Sequence, residues 1–215
     1  VASVPPLWTT AIRCWIALVA LIAILGATRS LIVPTLADAP IVASIALLHM
    51  VAFSVLMAAG LARVPASKAI VLGYTTPLWV AIAAPFFLHE RMTRGRVLGA
   101  ALGLAGLAVL LNPLALDWTD ARALEGYAYI AAAALLWASS IVYARKHRWI
   151  ATPLQLLPWQ VGLAGLVLTP LALVFEGVPT VTWTPTLVSL FVFGGLVGTA
   201  LAYWAMSMVN RSLPA

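Results

Sequence analysis

Seven apolar stretches follow one another along this chain with little between them, at roughly 8–27, 40–61, 66–88, 94–112, 124–144, 153–175 and 185–208. A helix rises ~1.5 Å per residue and a bilayer's hydrocarbon core is ~30 Å thick, so about 20 apolar residues cross it. Hydrophobic residues make up 64% of the chain and charged residues 8%. That balance excludes a water-soluble domain and makes lipid the solvent for most of the surface. The fold class it predicts is all-α integral membrane protein.

A faint duplication runs through the same stretches. Pro6-Leu7 with Arg13 returns as Pro153-Leu154 with Gln160, an offset of 147, and Ala62-Arg63-Val64-Pro65-Ala66 is similar to Arg211-Ser212-Leu213-Pro214-Ala215, an offset of 149. Spans 1 and 2 then correspond to spans 6 and 7. A five-helix unit explains the pairing if one helix precedes Val1 and two follow Ala215. Two copies of a five-helix unit insert with opposite topology, the inverted-repeat plan of many transporters. The chain therefore reads as about seven of ten helices: residues 1–112 a first repeat short of its first helix, 113–123 an outward-facing linker, and 124–215 a second repeat short of its last two.

The net charge of +6 is a topology signal. Arg29, Arg91, Arg94, Arg96, Arg145, Lys146, Arg148 and Arg211 fall in gaps of one parity. Arg13, Arg63, Lys68 and Arg122 fall on the other side, with Asp117, Asp120, Glu125 and Glu176. The richer side is cytoplasmic by the positive-inside rule. No basic tract interleaved with aromatics points to nucleic acid. Trp8, Trp118, Trp149 and Trp183 stand near span ends as interfacial anchors. Pro77, Pro85, Pro158 and Pro170 lie inside spans and predict kinks in spans 3 and 6. Gly99, Gly103 and Gly106 predict that span 4 packs closely on a neighbour, with lining of a cavity as the alternative.

Ionisable groups at mid-membrane depth are costly and suggest function. His49, near the middle of span 2, is the clearest candidate, on one stripe with Phe53, Leu56 and Gly60. Against it stands a core histidine bonded to a carbonyl. Tyr74 heads a stripe in span 3, with Trp79 to its side. Trp137 lies deep in span 5 on one face with Ser140 and needs an acceptor for its indole N–H. His49, Tyr74, Trp79, Trp137 and Ser140 are the candidate substrate contacts. Arg13 is expected to snorkel to the outer interface, or else to hold a carboxylate at the mouth of a pathway. No catalytic, cofactor-binding or metal-ligating set is legible: Cys14 is a single cysteine, and His49, His89 and His147 cannot converge.

The run Val64-Pro65-Ala66-Ser67-Lys68-Ala69, Thr76-Pro77-Leu78-Trp79, Leu88-His89-Glu90-Arg91, then Gly99-Ala100 and Gly106 resembles the EamA domain of the drug/metabolite transporter superfamily. His89 stands where the usual glycine precedes Glu-Arg. The resemblance implies ten helices in two inverted five-helix repeats, both termini cytoplasmic, and export of amino acids and other small metabolites. The aromatic-rich helices are similar to those of the superfamily's aromatic amino acid exporters. Glu90 and Arg91 match the family turn at the cytoplasmic end of span 3 and read as loop contacts.

The expectation is a multi-pass carrier in a bacterial inner membrane that moves small metabolites, amino acids foremost, by alternating access. It needs no cofactor; its partners are the substrate and the bilayer. A membrane-embedded lipid-modifying enzyme and a structural subunit without transport are the alternatives.

Overall fold

The computed structural model describes residues 4–90, 93–112 and 119–212. Arg91, Asp117, Trp118, most of the 113–123 linker and the Leu213-Pro214-Ala215 end of the duplicated motif lie outside them. The described residues form seven helical segments and no strand: α1 Pro6–Ala27, α2 Ala39–Leu61, α3 Ala66–Phe87, α4 Arg94–Leu111, α5 Ala121–Lys146, α6 Pro153–Glu176 and α7 Pro185–Ser212. Six are long and apolar enough to cross a membrane. The fourth, Arg94–Leu111, matches the apolar stretch expected at 94–112 to within a residue. The outer surface carries large exposed apolar side chains such as Val19, Ile24, Leu102, Leu166 and Phe193, as lipid-facing helices require.

The helices divide into two compact units, with the boundary inside α2 at Val51 and again before His147. In the first unit α1 packs along α6. The first turn of α1 has no side-chain cap of its own. The Glu176 carboxylate, at the far end of α6, accepts from the backbone N–H of Leu7 at 2.9 Å and of Trp8 at 3.1 Å. Carboxylate there also suits the positive end of the helix dipole. Trp8 Nε1 donates to the Gly177 carbonyl at 2.7 Å. At the other end, α6 opens on a Thr152–Gln155 capping box, and Gln155 Nε2 donates to the Ser30 carbonyl at 3.4 Å. The start of each helix meets the end of the other, so α1 and α6 are antiparallel. Trp15 lies on Gly165, where a Cβ would come within 3.1 Å of the ring, and donates to Thr169 Oγ1 at 3.0 Å. α7 joins through Val4, Leu187 and Phe191, packed with Trp8 and Ile12.

In the second unit α5 is the centre. The end of α2 meets it where Gly60 and Gly126 face each other: a Cβ on Gly126 would meet Val64 Cγ1 at 2.7 Å and Arg63 Cβ at 2.8 Å. α3 packs on α5 through Leu72 and Ile130, and again through Ala84 and Val142. α3 is interrupted at Tyr74–Thr75. Pro77 is the cause: its ring opposes the carbonyl four residues back, at Gly73. Thr76 Oγ1 takes that carbonyl at 3.0 Å and Thr75 Oγ1 takes Leu72's at 2.6 Å. Pro85, Pro158 and Pro170 sit within uninterrupted helix. Span 4's glycine stripe does not make the close helix contact expected. A Cβ on Gly99 or Gly106 would meet nothing within 4 Å, and all three glycines line a cavity.

Candidate functional site

Two helices leave α-geometry at mid-length. α2 is π-helical over Ser44–Ala52 and α7 over Leu196–Leu201. Such stretches are rare and are frequent at functional sites. His49 stands in the first and Gly198 in the second, each at about the midpoint of its span. His49 and Gly198 both belong to the first unit.

The widened turn in α7 is where Arg13 goes. Its Nε donates to the Gly194 carbonyl at 3.1 Å and its Nη2 to the Gly198 carbonyl at 2.9 Å. Arg13 therefore does not snorkel to the interface. The glycines explain why: a Cβ on Gly198 would stand 2.7 Å from Nη2, and one on Gly194 3.2 Å from Nε. Gly194 lies nine residues after Pro185, about 14 Å along the helix at ~1.5 Å per residue. A guanidinium at that depth costs about 2.5–3.5 kcal/mol by insertion scales. Tyr203 lies five residues beyond Gly198 on α7. The Tyr203 ring packs on the His49 imidazole with centroids 4.8 Å apart and planes tilted 51°. Arg13, Tyr203 and His49 are each half-buried. An anchored cation, a phenol and an imidazole thus follow one another at mid-depth. Gln160, the residue paired with Arg13 by the 147-residue offset, is fully buried, and neither of its amide atoms has a partner among the described residues.

The other four candidates lie in the second unit. Trp137 is half-buried and meets Phe53 edge to face, centroids 5.0 Å apart. Ser140, one turn on, is buried. Tyr74, 69% exposed at the break in α3, lines a cavity of about 700 Å³ with Leu78, Gly103, Glu90 and Arg145. Trp79 donates to Thr75 Oγ1 at 3.0 Å and lines a separate cavity of about 600 Å³ with Phe86, Ser139 and Tyr143. Tyr74 and Trp79 therefore face different hollows, and neither Trp137 nor Ser140 lines these two.

Polar contacts at the helix ends were not visible in the sequence. Glu90, read as a loop contact, pairs with Arg145, both side chains largely buried. Asp38, just before α2, is fully buried and accepts from the N–H of Ile150 at 3.2 Å and of Ala151 at 2.9 Å. His147 Nε2 lies 3.3 Å from it. Burial pushes the Asp38 carboxyl up, but the Ala151 and Ile150 N–H groups and His147 outweigh it and hold its pKa below the ordinary 3.8. No group of three or more metal-ligating side chains occurs among the described residues.

Comparison with known proteins gives this architecture a family. A protein of Bacillus subtilis described as "Uncharacterized transporter YoaV" is 26% identical over 98% of this chain and 73% of its own length. A "Riboflavin transporter" of Rhizobium johnstonii is 31% identical over 73% of this chain, which spans about half (49%) of that relative. Neither is described as an aromatic amino acid exporter. A solved crystal structure superposes with a TM-score of 0.77 over 97% of this chain and 71% of the other, at 22% identity, and shows the fold alone. The profile of the EamA-like transporter family matches residues 1–112, more than half of the sequence, so this multi-pass membrane chain belongs to that family of transporters.

Proposed function

We propose that the protein carries small metabolites, amino acids with aromatic or other apolar side chains foremost, across a bacterial inner membrane by alternating access. The observation that carries this is the set Arg13, Tyr203 and His49 at mid-depth: His49 stands on the π-helical stretch of α2, and Arg13 bonds to the Gly198 carbonyl in that of α7. Polar groups there are expensive and have no anchoring role. Cargo contacts are proposed for His49 in the first unit and for Tyr74, Trp79, Trp137 and Ser140 in the second. The relative named for riboflavin, itself a planar aromatic molecule, supports aromatic walls; both relatives come from bacteria.

The repeat reading, with 1–112 and 124–215 as two inverted units of a ten-helix carrier, draws support from the first unit. Trp8 bonds to Gly177, and Gln155 bonds to Ser30. Residues 8 and 155 differ by 147, as do 30 and 177. The two bonds are thus images of one another under exchange of antiparallel α1 and α6. The offset of 149 likewise carries the π-helical stretch of α2 onto that of α7.

Reconstituted into proteoliposomes, the protein should accumulate at least one compound from a panel of labelled amino acids and riboflavin above protein-free vesicles. Trp137→Ala should slow bulky apolar cargo severalfold more than small cargo, with folding checked by thermal unfolding. No uptake of any panel member would overturn the transport assignment, and equal slowing of large and small cargo the role of Trp137.

A further inference from the structure

We propose that Arg13 is an anion-binding group, and that the cargo is a carboxylate-bearing compound whose anionic end it grips. This deepens the transport reading and rests on it. The guanidinium has five N–H donors in a planar fork. Two are used, on the Gly194 and Gly198 carbonyls. The other three have no partner among the described residues. The carbonyls orient the group without neutralising it, since they are dipoles and not charges. The two acidic residues of the same unit are committed elsewhere: Glu176 to the start of α1, and Asp38 to the turn at Ile150 and Ala151. A full positive charge therefore stands at mid-span, half-buried, held but uncompensated.

Its setting is made for holding that charge in place. A side chain on Gly198 would strike the guanidinium, and one on Gly194 would crowd it. Thr199 Oγ1 donates to the Gly194 carbonyl at 3.0 Å, bridging the widened turn and fixing one of the two acceptors. A guanidinium aimed by two carbonyls presents its remaining N–H groups as a fork, the geometry that takes a carboxylate in a bidentate fashion. Tyr203, five residues beyond Gly198 on α7, and the His49 ring packed on it bring aromatic faces to the same stretch of the unit. The depth excludes a lipid headgroup as the anion, because headgroups lie at the bilayer surface, beyond the hydrocarbon.

The test uses two probes that share one ring system and differ in charge, indole-3-acetate and indole-3-acetamide. Binding is measured to the whole chain in nanodiscs of uncharged lipid. The wild type should bind the acetate at least tenfold more tightly than the amide. Arg13→Gln should remove the preference, and Arg13→Lys should keep part of it. Gly198→Ala, which keeps the charge but displaces the guanidinium, should also weaken acetate binding. Equal binding of the two probes to the wild type, or an undiminished preference in folded Arg13→Gln, overturns the proposal. If Arg13→Gln does not fold, the wild-type comparison and Gly198→Ala still decide it. Uptake in proteoliposomes is scored separately. Uptake of neutral cargo without an acetate preference overturns the anion site and leaves transport standing. An acetate preference without uptake of any compound does the reverse.

Discussion

A single carboxylate closes the turn between α5 and α6. Asp38 receives two backbone N–H groups while fully buried, and a buried donor left without its acceptor costs about 1–3 kcal/mol. Asp38→Asn turns one acceptor oxygen into a donor and should lower the unfolding midpoint in detergent at neutral pH. The folded carboxyl has a depressed pKa. Its contribution is therefore complete above the ordinary 3.8 and is lost as pH falls below that value toward the folded one. The gap between wild type and Asp38→Asn should be present at neutral pH and close as pH falls below about 4. A gap that persists unchanged in acid would show that the carboxylate's charge is not what matters. Little of this was legible in the sequence. Asp38 and Ala151 are more than a hundred positions apart, and nothing local to either marks the contact. Arg13 failed for a related reason. Its depth in α1 is readable, but its inward reach depends on two glycines in α7. The positions of Trp137 and His49 along their spans are readable because each helix's own length sets them.

At the scale of helices, the physics in the sequence is local, and it served well. Seven apolar stretches became seven helical segments, with ends off by a few residues where Arg122, Arg145 and Lys146 continue α5 beyond its apolar part. Hydropathy marks the hydrocarbon, not the end of the helix. Prolines and glycines were ambiguous because their effect depends on what lies opposite. Pro77 interrupts a helix and Pro158 does not. Gly99 and Gly103 have the spacing of a packing motif and line a hollow, while Gly60 and Gly126, on different helices, make the close contact. A direct comparison follows. Gly126→Ala places a Cβ 2.8 Å from the Cβ of Arg63, which cannot swing aside. It should destabilise the protein by about 1–3 kcal/mol, as overpacking does. Gly99→Ala meets nothing within 4 Å and should leave the unfolding midpoint unchanged or slightly raised, alanine being the better helix former. The opposite order of the two variants would place the tight interface on α4.

For the whole molecule the open quantity is which way the chain faces. Within the first unit, Asp38 meets Ile150 and Ala151, so the turns around 29–38 and 147–152 share an end, while Trp8 meets Glu176 and Gly177 at the other. Within the second, Glu90 meets Arg145 at one end and Arg63 meets Glu125 at the other. Each pairing joins turns of the same parity, as alternate crossing of a bilayer requires. With Arg13 drawn inside, one parity keeps Arg63, Lys68 and Arg122 against the eight basic residues of the other. The positive-inside rule predicts that the Arg-rich turns are cytoplasmic. Thr93 and Thr182 are both exposed, on turns of opposite parity. Cysteine placed at either, in a protein whose buried Cys14 is replaced by alanine, should react differently with a membrane-impermeant maleimide. In intact cells the cysteine at 182 should label and the one at 93 should not; after permeabilisation both should. The reverse pattern would mean that the chain inserts against its charge bias. Labelling of both in intact cells would mean that the 89–96 and 176–184 turns face the same side, and alternate crossing would fail with it.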